Sequence, residues 1–288
     1  LNHFIEIGRD EEGDVWLTIH TGSRNFGNLI ARYWQGIAID EAKGIDGTIE
    51  QEVKALIVDL KAKKQFDKIQ KSVADLKAKF QNIKVRDAEL SVLTGDNAAG
   101  YFFDMIYAGK YAEYNRKTIY ELIMNEFGWE AGLTVKCNHN FIDFNDMIIR
   151  KGAIASYENS LMVIPFNMRD GLLIVEGKSN ADWNYSAPHG AGRIMARGVA
   201  SRNLDFGQFE KDMKEVYSTS VVKSVLDESP RAYKDSKIIE EAIEPTCTIR
   251  YRVKPILNLK DKGKKKNWKE IKKADKIRKE MKRTEERN

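Results

Sequence analysis

The chain has 288 residues, 42% hydrophobic and 32% charged, with a net charge of +5. That length suits one large domain or two small ones, with a core that needs neither disulfides nor a structural metal. No apolar run is long enough to span a bilayer, the opening Leu1-Asn2-His3-Phe4 is unlike a secretory leader, and the only cysteines are Cys137 and Cys247, so we expect a reducing, cytoplasmic compartment and no membrane partner.

The pattern from Asn2 to His20 predicts a hairpin, with strands Phe4–Ile7 and Val15–His20 around a Glu11–Asp14 turn. A Gly-rich loop, Thr21–Gly27, leads to a predicted helix over Asn28–Ala38. From about Ile49 to Ile83 the pattern is helical and charged. Its seam of Phe66, Ile69, Val73, Leu76, Phe80 and Ile83 fits a coiled-coil-like hairpin or a helix lying on the body. A second helical block runs from about Asn97 to Phe127, with Tyr101, Met105, Tyr111, Ala112 and Ile119 as core candidates. Between Leu133 and Ala200 short strands alternate with Gly, Asn and Pro, and Leu161–Ile164 and Leu172–Val175 read as buried strands. Helices are predicted over Phe206–Val225 and Asp235–Ile243, then a last strand over Cys247–Leu259, interrupted by Pro255. Residues 261–288 hold 13 Lys/Arg against 6 Asp/Glu, which leaves the rest of the chain close to neutral. This basic tail is predicted to be a solvated charged helix or a weak nucleic-acid contact.

Four histidines, His3, His20, His139 and His189, each stand where an apolar stretch gives way to Asn, Gly, Ser, Thr or Pro. Loops at strand ends are where side chains converge on ligands. Singly, each reads as a satisfied loop histidine; together they are candidates for a site, and neutral imidazoles suit a transition metal. In Ser186-Ala187-Pro188-His189-Gly190-Ala191-Gly192-Arg193 the glycines let backbone N–H groups approach a phosphate. Arg193 and Arg197, four apart, would share a helix face, either solvated or gripping phosphate oxygens. Asp182–Tyr185 is a packing corner or a base-positioning loop, and Cys137, two before His139, is a small buried residue or a ligand.

Several of these segments stand in the order of the RtcB family of RNA ligases: Asn2-His3-Phe4-Ile5-Glu6-Ile7, Ile19-His20-Thr21-Gly22-Ser23-Arg24, His139-Asn140, Arg150-Lys151-Gly152-Ala153, Ser186 through Arg193, Asp227-Glu228-Ser229-Pro230 with Ala232-Tyr233-Lys234, and Arg252 through Lys260. The chain resembles that family from Asn2 to Lys260, least near residues 45–90. The resemblance implies an α+β fold, with a mixed β core, peripheral helices and a polar central cleft, as one ligase domain over residues 1–260 and a charged tail over 261–288.

The resemblance also implies an activity: GTP- and Mn2+-dependent joining of RNA 3′-phosphate or 2′,3′-cyclic phosphate ends to 5′-hydroxyl ends, as in tRNA splicing or RNA repair. His189 would be the nucleophile that carries GMP, and His3, His20 and His139 would be metal ligands. Asn2, His3, Phe4, Ile5, Glu6, His139, Asn140, Pro165, Phe166, Asn167, Met168, Leu172, His189, Gly190, Ala191, Gly192 and Lys260 would line the nucleotide. Arg24, Lys151, Arg193 and Arg197 are candidates for RNA or nucleotide phosphates. The family's N-terminal segment, with an Asp and a Cys that complete a site for two Mn2+ ions, is not in this sequence, so we read the chain as a fragment or part of a split protein and expect the segment in trans to restore activity. Phe166, Asn167 and Leu172 also differ from the commonest family pattern. A non-catalytic RNA-binding subunit and a metallophosphohydrolase are the alternative readings.

Overall fold

The computed structural model describes residues 3–43, 48–81 and 85–261. The basic tail beyond Asp261, Ile83 and Asn2 lie outside the described residues. The chain divides into two compact units, one of Leu1–His20 with Ile123–Asn288 and one of Thr21–Leu122. The second is helical: α1 (Arg24–Ala42), α2 (Thr48–Ala62), α3 (Ile69–Gln81) and most of α4 (Gly95–Phe127). α2 and α3 pack on each other, and Ile69, Val73, Leu76 and Phe80 are half-buried as the seam predicts, whereas Phe66 is exposed in a short 3-10 turn. Polar contacts join α1 to α4: Trp34 Nε1 donates to Asp104 at 2.8 Å, and Asn97 donates to Glu41 at 2.7 Å. Tyr111 corrects the predicted core of α4, since it is exposed and lies against the Phe26 ring. No described helix is long and apolar enough to cross a membrane.

The other unit carries two sheets, giving an α+β fold. β1 (Phe4–Arg9) and β2 (Val15–His20) form the predicted hairpin. Its turn is fixed by one side chain, because the Asp10 carboxylate accepts from the Glu12 and Asp14 N–H groups and from Trp16 Nε1. β3 (His139–Asp143), β4 (Ile148–Ala155) and β7 (Ser186–Pro188) make a three-stranded sheet in the order β3-β4-β7. β5 (Leu161–Asn167), β6 (Gly171–Gly177) and β8 (Cys247–Lys260) complete a five-stranded sheet ordered β2-β1-β8-β6-β5. The ladders are antiparallel, and the parallel pairs are the isolated bridges Glu158–Gly177 and Tyr217–Leu257.

β6 reads as an unbroken apolar run because both its faces are covered. Leu173 and Val175 enter a cluster with Ile154, Ile164 and Ile243, while Leu172 and Ile174 pack with Val253 on the other side. Pro255 is tolerated in β8 because it faces Gly8 where the β1 register shifts. α5 (Arg197–Asn203), α6 (Phe206–Asp212) and α7 (Ser236–Ala242) are short. The helix predicted over Phe206–Val225 stops early because Tyr217 gives its backbone to β8, donating to the Ile256 carbonyl and accepting from the Asn258 N–H.

Candidate active site

Three strand ends deliver three imidazoles to one place. His20 closes β2, His139 opens β3, and His189 follows β7. The Nε2 atoms of His20 and His139 are 3.4 Å apart, and the rings of His139 and His189 are centred 4.8 Å apart. Phe4, opposite His20 in the hairpin, stacks on its ring at 5.1 Å. Burial, then the neighbouring His139, His3 and His189, hold the His20 pKa down to about 3, which favours the neutral ring. Burial also lowers the His189 pKa, partly offset by a hydrogen bond to the Gly152 backbone. Gly152 has φ +72, and a Cβ there would stand 3.8 Å from His189 Cε1. Asn140, itself left-handed at φ +59, holds this turn by accepting from the Gly152 N–H at 2.8 Å.

A second network lies along β1 and β8. Lys260 flanks the imidazoles through Phe4, which pairs with both His20 and Lys260, and the Lys260 ammonium lies 5.6 Å from the Phe4 ring centre. Glu6 is buried and accepts from Asn258 at 2.5 Å, while its other oxygen and the Asn258 carbonyl have no partner within hydrogen-bond reach. Burial pushes the Glu6 pKa up to about 7. Lys260 donates to Glu228 at 2.6 Å. Glu228 also accepts from Tyr233 at 2.8 Å and pairs with Arg193 and Arg197, and Arg197 reaches Asp227 at 2.8 Å. Burial alone would raise the Glu228 pKa; Lys260, Tyr233 and Arg197 instead hold it down to about 2.

The remaining sequence-predicted residues divide by position. Gly190, Ala191 and Gly192 continue the His189 loop, which is tied down by the Ala191 N–H donating to the Pro165 carbonyl at 3.1 Å. Phe166, Met168 and Leu172 place their side chains in hydrophobic clusters, and Asn167 caps the β5–β6 turn by accepting from Arg169 and Asp170. Ile5 pairs with Ile19 and Leu259 within the sheet. Lys151 is exposed on β4, and Cys137 is half-buried rather than buried. Arg24 belongs to the helical unit and starts α1. Arg193 and Arg197 do not share a helix face: Arg193 precedes α5 and bridges to Tyr233, and the two meet at Glu228 and Asp227. Sequence reasoning found Glu228, Tyr233, Asn258 and Arg150 within family-like segments, which were the available signal, but named none of them as a site residue.

Two imidazole nitrogens 3.4 Å apart fit a divalent transition metal, since neighbouring donors about 2.1 Å from a four-coordinate ion stand roughly that far apart. His3 biases His20 electrostatically, yet among the described residues no three His, Cys, Asp or Glu side chains group so as to hold a metal.

The arrangement is that of an α+β protein whose strand ends gather neutral histidines beside a buried, charge-paired lysine. The chain belongs to the RtcB family: the model described as "tRNA-splicing ligase RtcB" matches residues 2–261. It is similar to the RNA-splicing ligase RtcB of Escherichia coli (strain K12), 28% identical over 271 residues that cover 90% of this chain and 59% of that protein. It is also similar to the tRNA-splicing ligase RtcB of Pyrobaculum aerophilum, 25% identical over 280 residues that cover 84% of this chain and 54% of that protein. The chain thus spans a little over half the length of these relatives.

Proposed function

We propose that this chain is the histidine-bearing part of an RNA ligase that uses GTP and Mn2+ in the cytoplasm to join a 3′-phosphate or 2′,3′-cyclic phosphate end to a 5′-hydroxyl end, in tRNA splicing or RNA repair. The observation that carries this reading is the convergence of His20, His139 and His189 on one site. His189 is the nucleophile: its burial keeps the ring neutral, and the Gly152 contact orients it. A ring nitrogen attacks the α-phosphorus of GTP, a P–N bond forms, the α–β P–O bond breaks, and pyrophosphate leaves. GMP then passes to the RNA 3′-phosphate and becomes the group that the 5′-hydroxyl displaces. His20 and His139 would hold the metal, which when bound offsets phosphate charge. Lys260, positioned by Glu228 and stacked over Phe4, would meet the guanine, and Glu6 would line the same wall.

The absence of a three-residue metal group among the described residues favours a second reading, a non-catalytic RNA-binding subunit. Incubation with α-32P-GTP and Mn2+ followed by a denaturing gel separates the two. With the family's N-terminal segment supplied in trans, the ligase reading expects an acid-labile label on the wild-type chain and none on His189→Ala. A label that persists in His189→Ala removes His189 from the mechanism, and no label on either favours the subunit.

A further inference from the structure

Arg150 is the bulkiest fully buried side chain among the described residues, and the mechanism above does not use it. It extends from β4 between the two other strands of its sheet. Its NH1 pairs with Asp143 of β3 at 2.8 Å, and its Nε donates to Ser186 Oγ of β7 at 2.9 Å. NH2 reaches the Tyr157 hydroxyl at 3.3 Å and the carbonyls of Tyr185 and Asn184 at 3.4 and 3.5 Å. The guanidinium also lies 5.7 Å from the centre of Phe141 and 5.6 Å from that of Tyr157. A planar group with five donors suits this many fixed acceptors, and a lysine does not.

What these contacts hold is specific. Phe141 and Asp143 follow His139 on β3, and Ser186 stands three residues before His189. The chain enters β7 through Asn184 and Tyr185, two successive left-handed residues at φ +48 and +49. Neither is glycine, so the turn is strained and persists only when its surroundings fix it. Arg150 binds both carbonyls of that turn, and Ser186 Oγ adds a bond to the Asn184 carbonyl at 2.7 Å. One buried side chain thus ties the strand that starts at His139 to the strand that leads into His189.

We propose that Arg150 is a positioning residue that sets His189 against His139, acting through Ser186 and the Asn184–Tyr185 turn. Its catalytic consequence rests on the function proposed above, whereas its geometric consequence does not. The 288-residue chain is compared with Ser186→Ala, Arg150→Lys and the double variant. Thermal melting checks the fold, and the ring resonances of His139 and His189 report the placement directly. We expect Ser186→Ala to stay folded, both His signals to move while the Trp16 indole signal does not, and the double variant to shift no further than Arg150→Lys, the mark of one shared interaction. GMP labelling should slow roughly tenfold to a hundredfold in Ser186→Ala, with the half-saturating GTP concentration unchanged, since misplaced reacting groups lose rate rather than binding. Unmoved His signals in folded Ser186→Ala, or additive shifts in the double variant, would overturn the proposal. A wild-type chain that takes no label would count against the ligase reading alone, and the ring spectra would still decide the role of Arg150.

Discussion

Lys260 and Glu228 meet at 2.6 Å with only 8% and 4% of their side chains exposed. Glu228 is the common acceptor for Lys260, Tyr233, Arg193 and Arg197, so three of the cations that sequence reasoning offered to nucleotide or RNA are paired with a carboxylate. Removing one partner of a buried pair strands the other. Glu228→Ala should therefore cost about 3–5 kcal/mol, and Lys260→Met distinctly less, because Glu228 then keeps two arginines and a tyrosine. Urea denaturation of both variants checks this ranking; equal costs would mean that the arginines do not support Glu228.

Glu6 predicts a stability loss on the alkaline side. Its pKa rises from 4.5 to about 7 on burial, so the folded state favours the protonated carboxyl. That contribution is complete below pH 4.5 and is lost as pH rises through 7. Glu6→Gln should gain on the wild type by about 3 kcal/mol between pH 4 and pH 9. His20 works in the opposite sense: its pKa falls from 6.5 to about 3, so its contribution is present above pH 6.5 and is lost as pH falls through 3. Melting temperatures across pH for Glu6→Gln and His20→Asn test the two arms separately, and curves parallel to wild type would refute them.

Metal affinity should follow the imidazole geometry. His20→Ala and His139→Ala each remove one of the two nitrogens that face each other at 3.4 Å, and should weaken Mn2+ binding by roughly tenfold or more. His3→Ala should weaken it less. Calorimetric titration of the three variants decides the matter, and a His3→Ala loss as large as that of His20→Ala would make His3 an equal ligand.

Two glycines should respond differently to the same methyl group. At Gly171, φ +76, a Cβ would stand 2.0 Å from the Val253 carbonyl oxygen, a backbone atom that cannot step aside. At Gly152, φ +72, the nearest atom is His189 Cε1 at 3.8 Å. Gly171→Ala should fail to accumulate as folded protein. Gly152→Ala should cost about 1 kcal/mol of backbone strain, stay folded, and lower GMP labelling through the shifted His189. Expression yield, melting temperature and labelling read out the pair.

The elements that could be read from sequence are those decided locally. The β1–β2 hairpin shows its alternation and its acidic turn, and β5 and β6 show apolar runs bounded by Gly and Asn. α6 misled because the apolar pattern continues past Asp212, while the backbone of Tyr217 is taken by a strand about 40 residues later. The histidines were visible as residue types at loop entries, but their meeting depends on three strand ends distant in sequence. Arg150, Glu228 and Asn258 stood in family-like segments, but their burial and pairing could not be read, because a charged or polar residue in a sequence looks solvated until the register that buries it is known. The spacing of Arg193 and Arg197 implied a shared helix face, and the residue that joins them is more than 30 positions away.

The placement of β8 between β1 and β6 has a consequence for how the chain reaches its native state. β1 pairs with the adjacent strand β2, but its other edge pairs with residues 254–260. During synthesis the hairpin emerges well before β8 and must wait for nearly the whole described chain before that edge is covered. Closing a loop of this length is entropically slow, and an uncovered strand edge invites pairing with other chains. Refolding should accordingly be limited by β8 insertion, with the imidazole site forming last because His20 is set on the hairpin that β8 locks into the sheet.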